Sequence, residues 1–209
     1  MAHVFIVNEK TLNVHLKYLF AGTGAKDYKC TFLTNNNEKI HFSKERLLVS
    51  MIADISRIRK GDSVLFYLQQ TVKHEGMFFG SFVVEEPPFL CNDNYLENDL
   101  EKNLIFRVLL KPQEVYPKGI TERECLDSLK NIDHPYEMCW SLIYRKLKGN
   151  RGCTMITDFE YSHILEKIRS KSSDKCLKCN NLSFDNEKAE IIENKIEKNT
   201  MVKKNHSIY

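Results

Sequence analysis

Hydrophobic positions in the first two thirds of the chain follow two periods, one typical of strands and one typical of helices. Four segments rich in β-branched and aromatic residues are bounded by turn residues, which predicts β-strands at 3–7, 63–69, 76–85 and 104–110. Five apolar residues recur at the spacing of one helix face and predict a helix over 44–57: Leu47, Leu48, Met51, Ile52 and Ile55.

Shorter signals between these segments complete the predicted order of elements. Asn8 is expected to open a turn or cap a helix over 11–20, and the Asn-rich turn at 34–37 predicts a hairpin over 28–42. Further helices are predicted at 121–129, 136–147 and 158–169. Because the strands pair locally and helices flank them, the sequence predicts an α/β domain of the α+β type. Its sheet is expected to be curved and mixed, or a partly open barrel.

A change in composition divides the chain near residue 171. From there to the end Lys, Asn, Glu and Ser dominate and aromatic residues nearly vanish. A segment with so few apolar residues lacks the material for a core of its own. We therefore predict one domain over 1–170, followed by a flexible charged tail or linker over 171–209. The tail is a candidate site for a protein partner.

Hydropathy, the cysteines and the overall charge indicate where the protein works more than what it does. No apolar run approaches the roughly 18 residues of a membrane span, and the first residues lack a signal-peptide pattern. We therefore expect a cytoplasmic protein with no membrane partner and with its seven cysteines reduced. The net charge is only +3, so nucleic-acid binding would have to rest on local clusters of basic residues.

The strongest local cluster of basic residues lies in 140–156, a segment that contains no acidic residue. Within it, residues 148–152 form a basic turn flanked by two glycines. Such a turn can present guanidinium, ammonium and backbone N–H groups together to a phosphate. Lys146, Lys148 and Arg151 are the candidate phosphate-binding residues. The alternative is a solvated basic face with no ligand.

Aromatic residues supply candidates for stacking on a base. Trp140 is the only tryptophan, and it is either a core residue or a wall for an unstacked base. Tyr144 lies four residues later and hence on the same helical face. Phe78 and Phe79 point to opposite faces of a strand, so only one of them can line a given pocket.

Patterns for catalysis and for a bound cofactor are missing from the sequence. It contains no nucleophile elbow, phosphate-binding loop, zinc-protease helix or dinucleotide fingerprint. The acidic residues in 93–101 suit a solvated loop better than a metal-dependent nuclease. Cys176 and Cys179 have the spacing of half a zinc site, but a second pair is absent. We expect no enzyme activity and no cofactor, with an unrecognised nuclease as the alternative.

Three segments together resemble the EVE domain, a member of the PUA-like group that also includes YTH domains. Residues 57–67, RIRKGDSVLFY, are similar to the family's block of helix end, turn and strand. Residues 76–84, followed by a Pro-Pro-aromatic turn, resemble its glycine-bearing strand. Residues 106–112, FRVLLKP, are similar to its next strand. The resemblance covers roughly residues 3–169 and rests on the order and spacing of these segments.

This resemblance implies a curved sheet with a pocket for one base flipped out of a DNA or RNA strand. Related domains hold modified bases, and some belong to modification-dependent restriction systems. A flipped base needs aromatic faces, edge hydrogen bonds and basic groups for its flanking phosphates. The candidate stacking residues are Trp140, Tyr144, Tyr95 and Phe79, with Phe89 as the alternative to Tyr95. Asn8 and Ser50 are the candidates for contacts with the edge of the base.

Overall fold

The fold is taken from a computed structural model that describes most of the predicted core. The described residues are 1–24, 45–91, 96–100, 104–126, 134, 152–173, 176–177, 181–194 and 206–207. The predicted hairpin over 28–42 and the predicted helix over 136–147 lie outside these ranges.

Strands outnumber helices in this part of the chain. The strands are β1 Ala2–Val7, β2 Phe20–Thr23, β3 Ser63–Leu68, β4 Met77–Val84, β5 Phe89–Leu90, β6 Phe106–Pro112, β7 Ile120–Thr121, β8 Cys153–Ile156, β9 Leu182–Asp185, β10 Glu190–Glu193 and β11 His206–Ser207. The helices are α1 Glu9–Tyr18, α2 Glu45–Ile55, α3 Glu97–Leu100, α4 Glu122–Leu126 and α5 Asp158–Lys171. The four long strands and the α2 helix predicted from hydrophobic periodicity are all present.

Nine of the described strands form one mixed sheet, in which β1 lies between β3 and the edge strand β8. It pairs in parallel with β3 and antiparallel with β8, while β4 pairs antiparallel with both β3 and β6. Strands β5 and β2 both pair with β6 at Phe106 and Arg107, so they must lie on opposite sides of it. The sheet curls into a partly open barrel with helices packed on it. The fold class predicted from the sequence is confirmed.

Helix α1 begins and ends earlier than its predicted range of 11–20. The Asn8 side chain accepts a hydrogen bond from the Thr11 N–H at 2.8 Å, which caps the first turn. Leu19 then adopts a left-handed backbone with φ of 49°, which ends the helix. Phe20 was predicted as the last residue of the helix and 21–24 as the segment that ends it. Residues 20–23 form β2 instead, because their backbone groups pair with β6.

The acidic segment 89–102 also contains more structure than the loop predicted for it. Phe89 and Leu90 form β5 against β6, and residues 97–100 form the single turn of α3. Leu96, just before this turn, and Leu100, its last residue, are buried with Phe20 in a small satellite core. Apolar burial in this short segment outweighs its acidic composition.

The C-terminal region is where the sequence-based prediction of domain limits differs most from the structure. Residues 181–194, assigned to a flexible tail, form an antiparallel hairpin of β9 and β10. Leu182, Phe184 and Ile191 are buried in the main hydrophobic core, and the Phe184 N–H donates to the Asn13 Oδ1 on α1 at 2.7 Å. The packed domain therefore continues past residue 170, because alternate apolar residues in a polar segment are enough for a half-buried hairpin.

Candidate nucleic-acid interface

The two outer strands of the curled sheet meet at a seam between β2 and β8. Gly152 precedes β8, and a side-chain carbon placed on it would collide with Thr23 at the end of β2. The Gly152 carbonyl also accepts a hydrogen bond from the Ile6 N–H at 3.0 Å, which ties the seam to β1. Gly152 belongs to the predicted basic turn. Its close approach to Thr23 explains why this position of the turn is a glycine, because a side chain would not fit there.

The flanks of the Tyr95 segment lie across β6 from the same seam. Thr23 pairs with Phe106, which also pairs with Leu90 on β5. The Cys91 N–H donates to the Ile105 carbonyl at 2.9 Å, so the chain leaves the sheet at Cys91 and returns close to the same point. The segment that carries Tyr95 thus leaves the sheet next to the row Thr23–Phe106–Leu90, with β6 between it and β2.

Helix α2 packs on β8, which lines the seam, and on β6, which is the neighbour of β2. Burial raises the pKa of the Cys153 thiol on β8, and the negative charge of Asp54 on α2 raises it further. Ser50 lies one turn before Asp54 and hence on the same face of α2. The half-buried Ser50 is therefore on the helix face that approaches β8.

Six of the predicted site residues lie outside the described residues: Tyr95, Trp140, Tyr144, Lys146, Lys148 and Arg151. Two of them have a described chain neighbour or flank. Arg151 immediately precedes Gly152, which lies against Thr23, and Tyr95 belongs to the segment that leaves the sheet at Cys91. Thr23 and the residue before Cys91, Leu90, pair with the same residue of β6, Phe106.

Phe79 and Asn8 have structural roles that the sequence analysis did not assign to them. Phe79 is fully buried, and its ring packs edge-on against Phe184 of the hairpin at 5.5 Å between centroids. It therefore offers no open face to a base in this structure. Phe78, on the opposite face of β4, packs on Tyr67. The exposed Asn8 uses its side-chain oxygen as the cap of α1.

Sequence reasoning missed two buried polar side chains. Arg107 on β6 is fully buried, and its Nη1 lies 2.9 Å from the Cys91 Sγ. Near the start of β1, the buried His3 Nε2 lies 3.1 Å from the Asp62 Oδ2. The signal for Arg107 was available as a single charge within the apolar run FRVLL. His3 gave no such signal, since its partner lies 59 positions away.

A groove of about 470 Å³ lies between α1, α3 and the hairpin, and none of the described candidate site residues lines it. Its walls carry both signs of charge and several amide or hydroxyl groups: Glu9, Lys10, Asn13, Val14, Lys17, Asp99, Ser183 and Asn186. This balance of charges selects neither an anion nor a cation.

The described residues contain no group of His, Cys, Asp or Glu side chains that could form a metal site. No three such side chains are close enough together there. Cys179, the second residue of the predicted half zinc site, lies outside that part. None of the described helices has the length and apolar character needed to cross a membrane.

Comparisons with known proteins give structural likenesses at low sequence identity. No family model and no curated protein matches the sequence. Human THYN1 protein in complex with 5-methylcytosine containing DNA is 11% identical, with a TM-score of 0.47 over 79% of this chain and 96% of that one. The DUF55 domain of human thymocyte nuclear protein 1 is 11% identical, with a TM-score of 0.49 over 80% and 98%. A hypothetical protein from Leishmania major is 17% identical, with a TM-score of 0.48 over 81% and 95%.

The two human structures are of the EVE, PUA-like class that the sequence resembles. At TM-scores under 0.5 and identities under 25%, these likenesses do not assign this chain to a family or a function.

Proposed function

We propose that this chain is a nucleic-acid-binding module that reads one flipped, modified base in DNA or RNA and catalyses no reaction itself. In this proposal it supplies recognition to a modification-dependent restriction or defence system, and another component supplies the chemistry. The cell compartment is the cytoplasm, as the sequence analysis expected.

The observation that carries the proposal is that the basic turn and the Tyr95 segment both join the sheet beside the row Thr23–Phe106–Leu90. Gly152, the end of the basic turn, touches Thr23, while Cys91, the root of the Tyr95 segment, is held beside β6. A flipped base must be gripped together with its flanking phosphates, so aromatic and basic groups must come from neighbouring segments. A seam between strands offers such a meeting place without breaking the core.

The proposal gives different roles to the residues of these segments. Trp140, Tyr144 and Tyr95 stack on the base, which contributes on the order of 1–3 kcal/mol per base. Lys146, Lys148 and Arg151 bind the flanking phosphates, which adds affinity without reading sequence. Ser50, on the helix face that approaches β8, contacts the edge of the base. The side-chain oxygen of Asn8 caps α1, so its side-chain NH2 group is the part that contacts the edge of the base.

The test is binding of the full chain to matched oligonucleotides that differ in one base. The panel holds DNA and RNA, single and double strands, with 5-methylcytosine, N6-methyladenine or no modification. It includes 5-methylcytosine because that base occurs in the DNA bound to human THYN1. We expect one modified strand to bind about tenfold or more tighter than its unmodified twin. Equal affinities across the panel would contradict the proposal.

Three controls separate this function from its alternatives. Lys148→Ala should weaken binding to all strands, whereas Lys188→Ala removes an exposed lysine on the hairpin and should leave binding unchanged. Incubation of each strand with Mg²⁺ or Mn²⁺ tests the nuclease alternative, for which strand cleavage would be the sign. Pull-down with residues 195–205 replaced by a Gly-Ser linker, which keeps β11 in the chain, tests the expected protein partner of the tail.

A further inference from the structure

The Arg107 guanidinium occupies an unusual position for a charged group. Arg107 is the second residue of β6, is fully buried, and is among the largest fully buried side chains of the described core. Its strand neighbours Phe106 and Val108 are apolar and buried as well. Burying a charge costs free energy unless hydrogen bonds compensate it, so an aliphatic residue would fill this position at lower cost.

Two hydrogen bonds of Arg107 reach the residues that flank segment 92–103. Its Nε donates to the Leu104 carbonyl oxygen at 2.5 Å, and its Nη1 donates to the Cys91 Sγ at 2.9 Å. Cys91 and Leu104 are the two residues that flank the segment. The guanidinium carbon also lies 5.3 Å from the centre of the Phe20 ring on β2, so the group is held from a third side.

One guanidinium therefore joins the outgoing and the returning chain of segment 92–103. Among the described residues, the backbone also joins the two flanks through a hydrogen bond from the Cys91 N–H to the Ile105 carbonyl at 2.9 Å. A planar guanidinium donates in fixed directions, so it sets the orientation of both flanks as well as their separation. A lysine would supply a charge without that fixed geometry.

We propose that Arg107 is a positioning residue that fixes the two flanks of segment 92–103, Cys91 and Leu104, and thereby the direction in which this segment leaves the sheet. The role in recognition rests on the proposed function, whereas the fixing of the flanks does not. Arg107 touches no base in this proposal and acts through the segment alone.

The test measures hydrogen exchange and binding on the full chain with Arg107→Met, Arg107→Lys and Val108→Ala. Val108 is a buried neighbour on the same strand, and its truncation serves as a control for general loss of stability. Arg107→Met should speed amide exchange in 92–103 about tenfold or more relative to α5, since it removes charge-assisted hydrogen bonds. Arg107→Lys should give a smaller increase in the same peptides. Val108→Ala should change exchange evenly over both regions.

Binding of the oligonucleotide panel to the same variants then distinguishes the role of Arg107 from the recognition of a modified base. Arg107→Met should lower the preference for the modified strand as much as Tyr95→Ala does, and the double variant should lose no more than either single one. If the native chain prefers no strand, the proposed function fails, and the exchange of 92–103 still decides the role of Arg107. If Arg107→Met does not fold, Arg107→Lys and Cys91→Ala decide it by the same exchange measurement. Exchange of 92–103 that follows α5 in these variants would overturn the proposal.

Discussion

The two ends of β1 use buried polar groups in opposite ways. At its start, the His3 ring and the Arg59 N–H both bond the Asp62 carboxylate, at 3.1 and 2.8 Å. The Ser63 N–H bonds the Met1 carbonyl beside them at 3.0 Å. Met1 and His3 belong to the start of β1 or directly precede it, and the other partners belong to the turn before β3 or to its first residue. This end is thus a closed structural cluster.

At its other end β1 meets the seam, where buried polar groups hold segments that leave the sheet. The Ile6 N–H binds Gly152, Gly152 touches the buried Thr23, and Arg107 holds the flanks of segment 92–103. The same strand therefore has one end that closes on itself and one that supports neighbouring segments. We infer that recognition lies at the seam and that the His3–Asp62 cluster serves stability alone.

The largest expected effect concerns neither end of β1 but the face of the sheet that the hairpin covers. Phe184→Ala removes a buried ring that packs on Phe79, and we expect it to cost about 3–5 kcal/mol of unfolding free energy. Denaturant unfolding measures the loss, with the partly exposed Ile192→Ala on the same hairpin as a near-neutral control. A stable Phe184→Ala protein would return the hairpin to the flexible tail of the sequence-based prediction.

The next effect sharpens the assignment of recognition to the seam. Trp140→Ala should weaken binding to the preferred modified strand by on the order of 1–3 kcal/mol and leave the salt dependence unchanged. Phe159→Ala removes an exposed aromatic residue of α5, just beyond the start of β1, and should not alter binding. If Trp140 is instead a core residue, its truncation should cost about 3–5 kcal/mol of folding stability, which a melting curve detects. Normal melting with full discrimination would exclude both roles.

A smaller effect is expected for the basic turn. Arg151→Ala should weaken modified and unmodified strands about equally, because binding to a phosphate carries no sequence information. It should also reduce the slope of log affinity against log salt by roughly 0.7–0.9 for each phosphate that the variant no longer neutralises. Titrations at several salt concentrations measure this slope. An unchanged slope would remove Arg151 from the binding surface.

The smallest effect is the pH dependence expected from the closed cluster. Burial lowers the pKa of His3 below its usual value, although Asp62 favours its charged form. In the unfolded chain His3 takes up a proton more readily, so stability should fall as the pH drops below about 6.5. Burial alone would raise the pKa of Asp62. The hydrogen bonds that its carboxylate accepts outweigh burial, so the pKa of Asp62 lies below its usual value. The Asp62 contribution should therefore be lost below about pH 3.9.

Unfolding of the native chain and of His3→Gln between about pH 8 and about pH 5 tests the first part of this expectation. The native chain should lose more stability on acidification than His3→Gln does, while the preference for a modified strand stays equal in both. An equal pH dependence of the two proteins would contradict the assigned state of His3.

The sequence predicted the parts of the fold that depend on local periodicity. Helix α2 and the strands β1, β3, β4 and β6 follow from apolar spacing, and Asn8 was expected at the start of α1. Strand β2 escaped prediction because four residues, FAGT, carry no period, and only pairing with β6 makes them a strand. The hairpin escaped because its charged composition concealed Leu182, Phe184 and Ile191.

The candidate site could be predicted only as residue types. Sequence spacing cannot show that Gly152 lies against Thr23 or that Arg107 reaches Cys91, since these pairs join positions far apart along the chain. Phe79 shows the converse problem. Alternation correctly separated it from Phe78, but the partner that buries it, Phe184, belongs to a segment predicted to be a tail.

The most direct test of recognition at the seam is photo-crosslinking from a defined base. A strand that carries one thiolated base beside the preferred modified base is bound to the native chain, irradiated and digested, and the crosslinked peptides are identified by mass spectrometry. We predict crosslinks to residues 92–95 and 135–151, the segments rooted at Cys91 and Gly152. Crosslinks confined to the opposite end of β1, at Met1, Met155 or Phe159, would contradict the account.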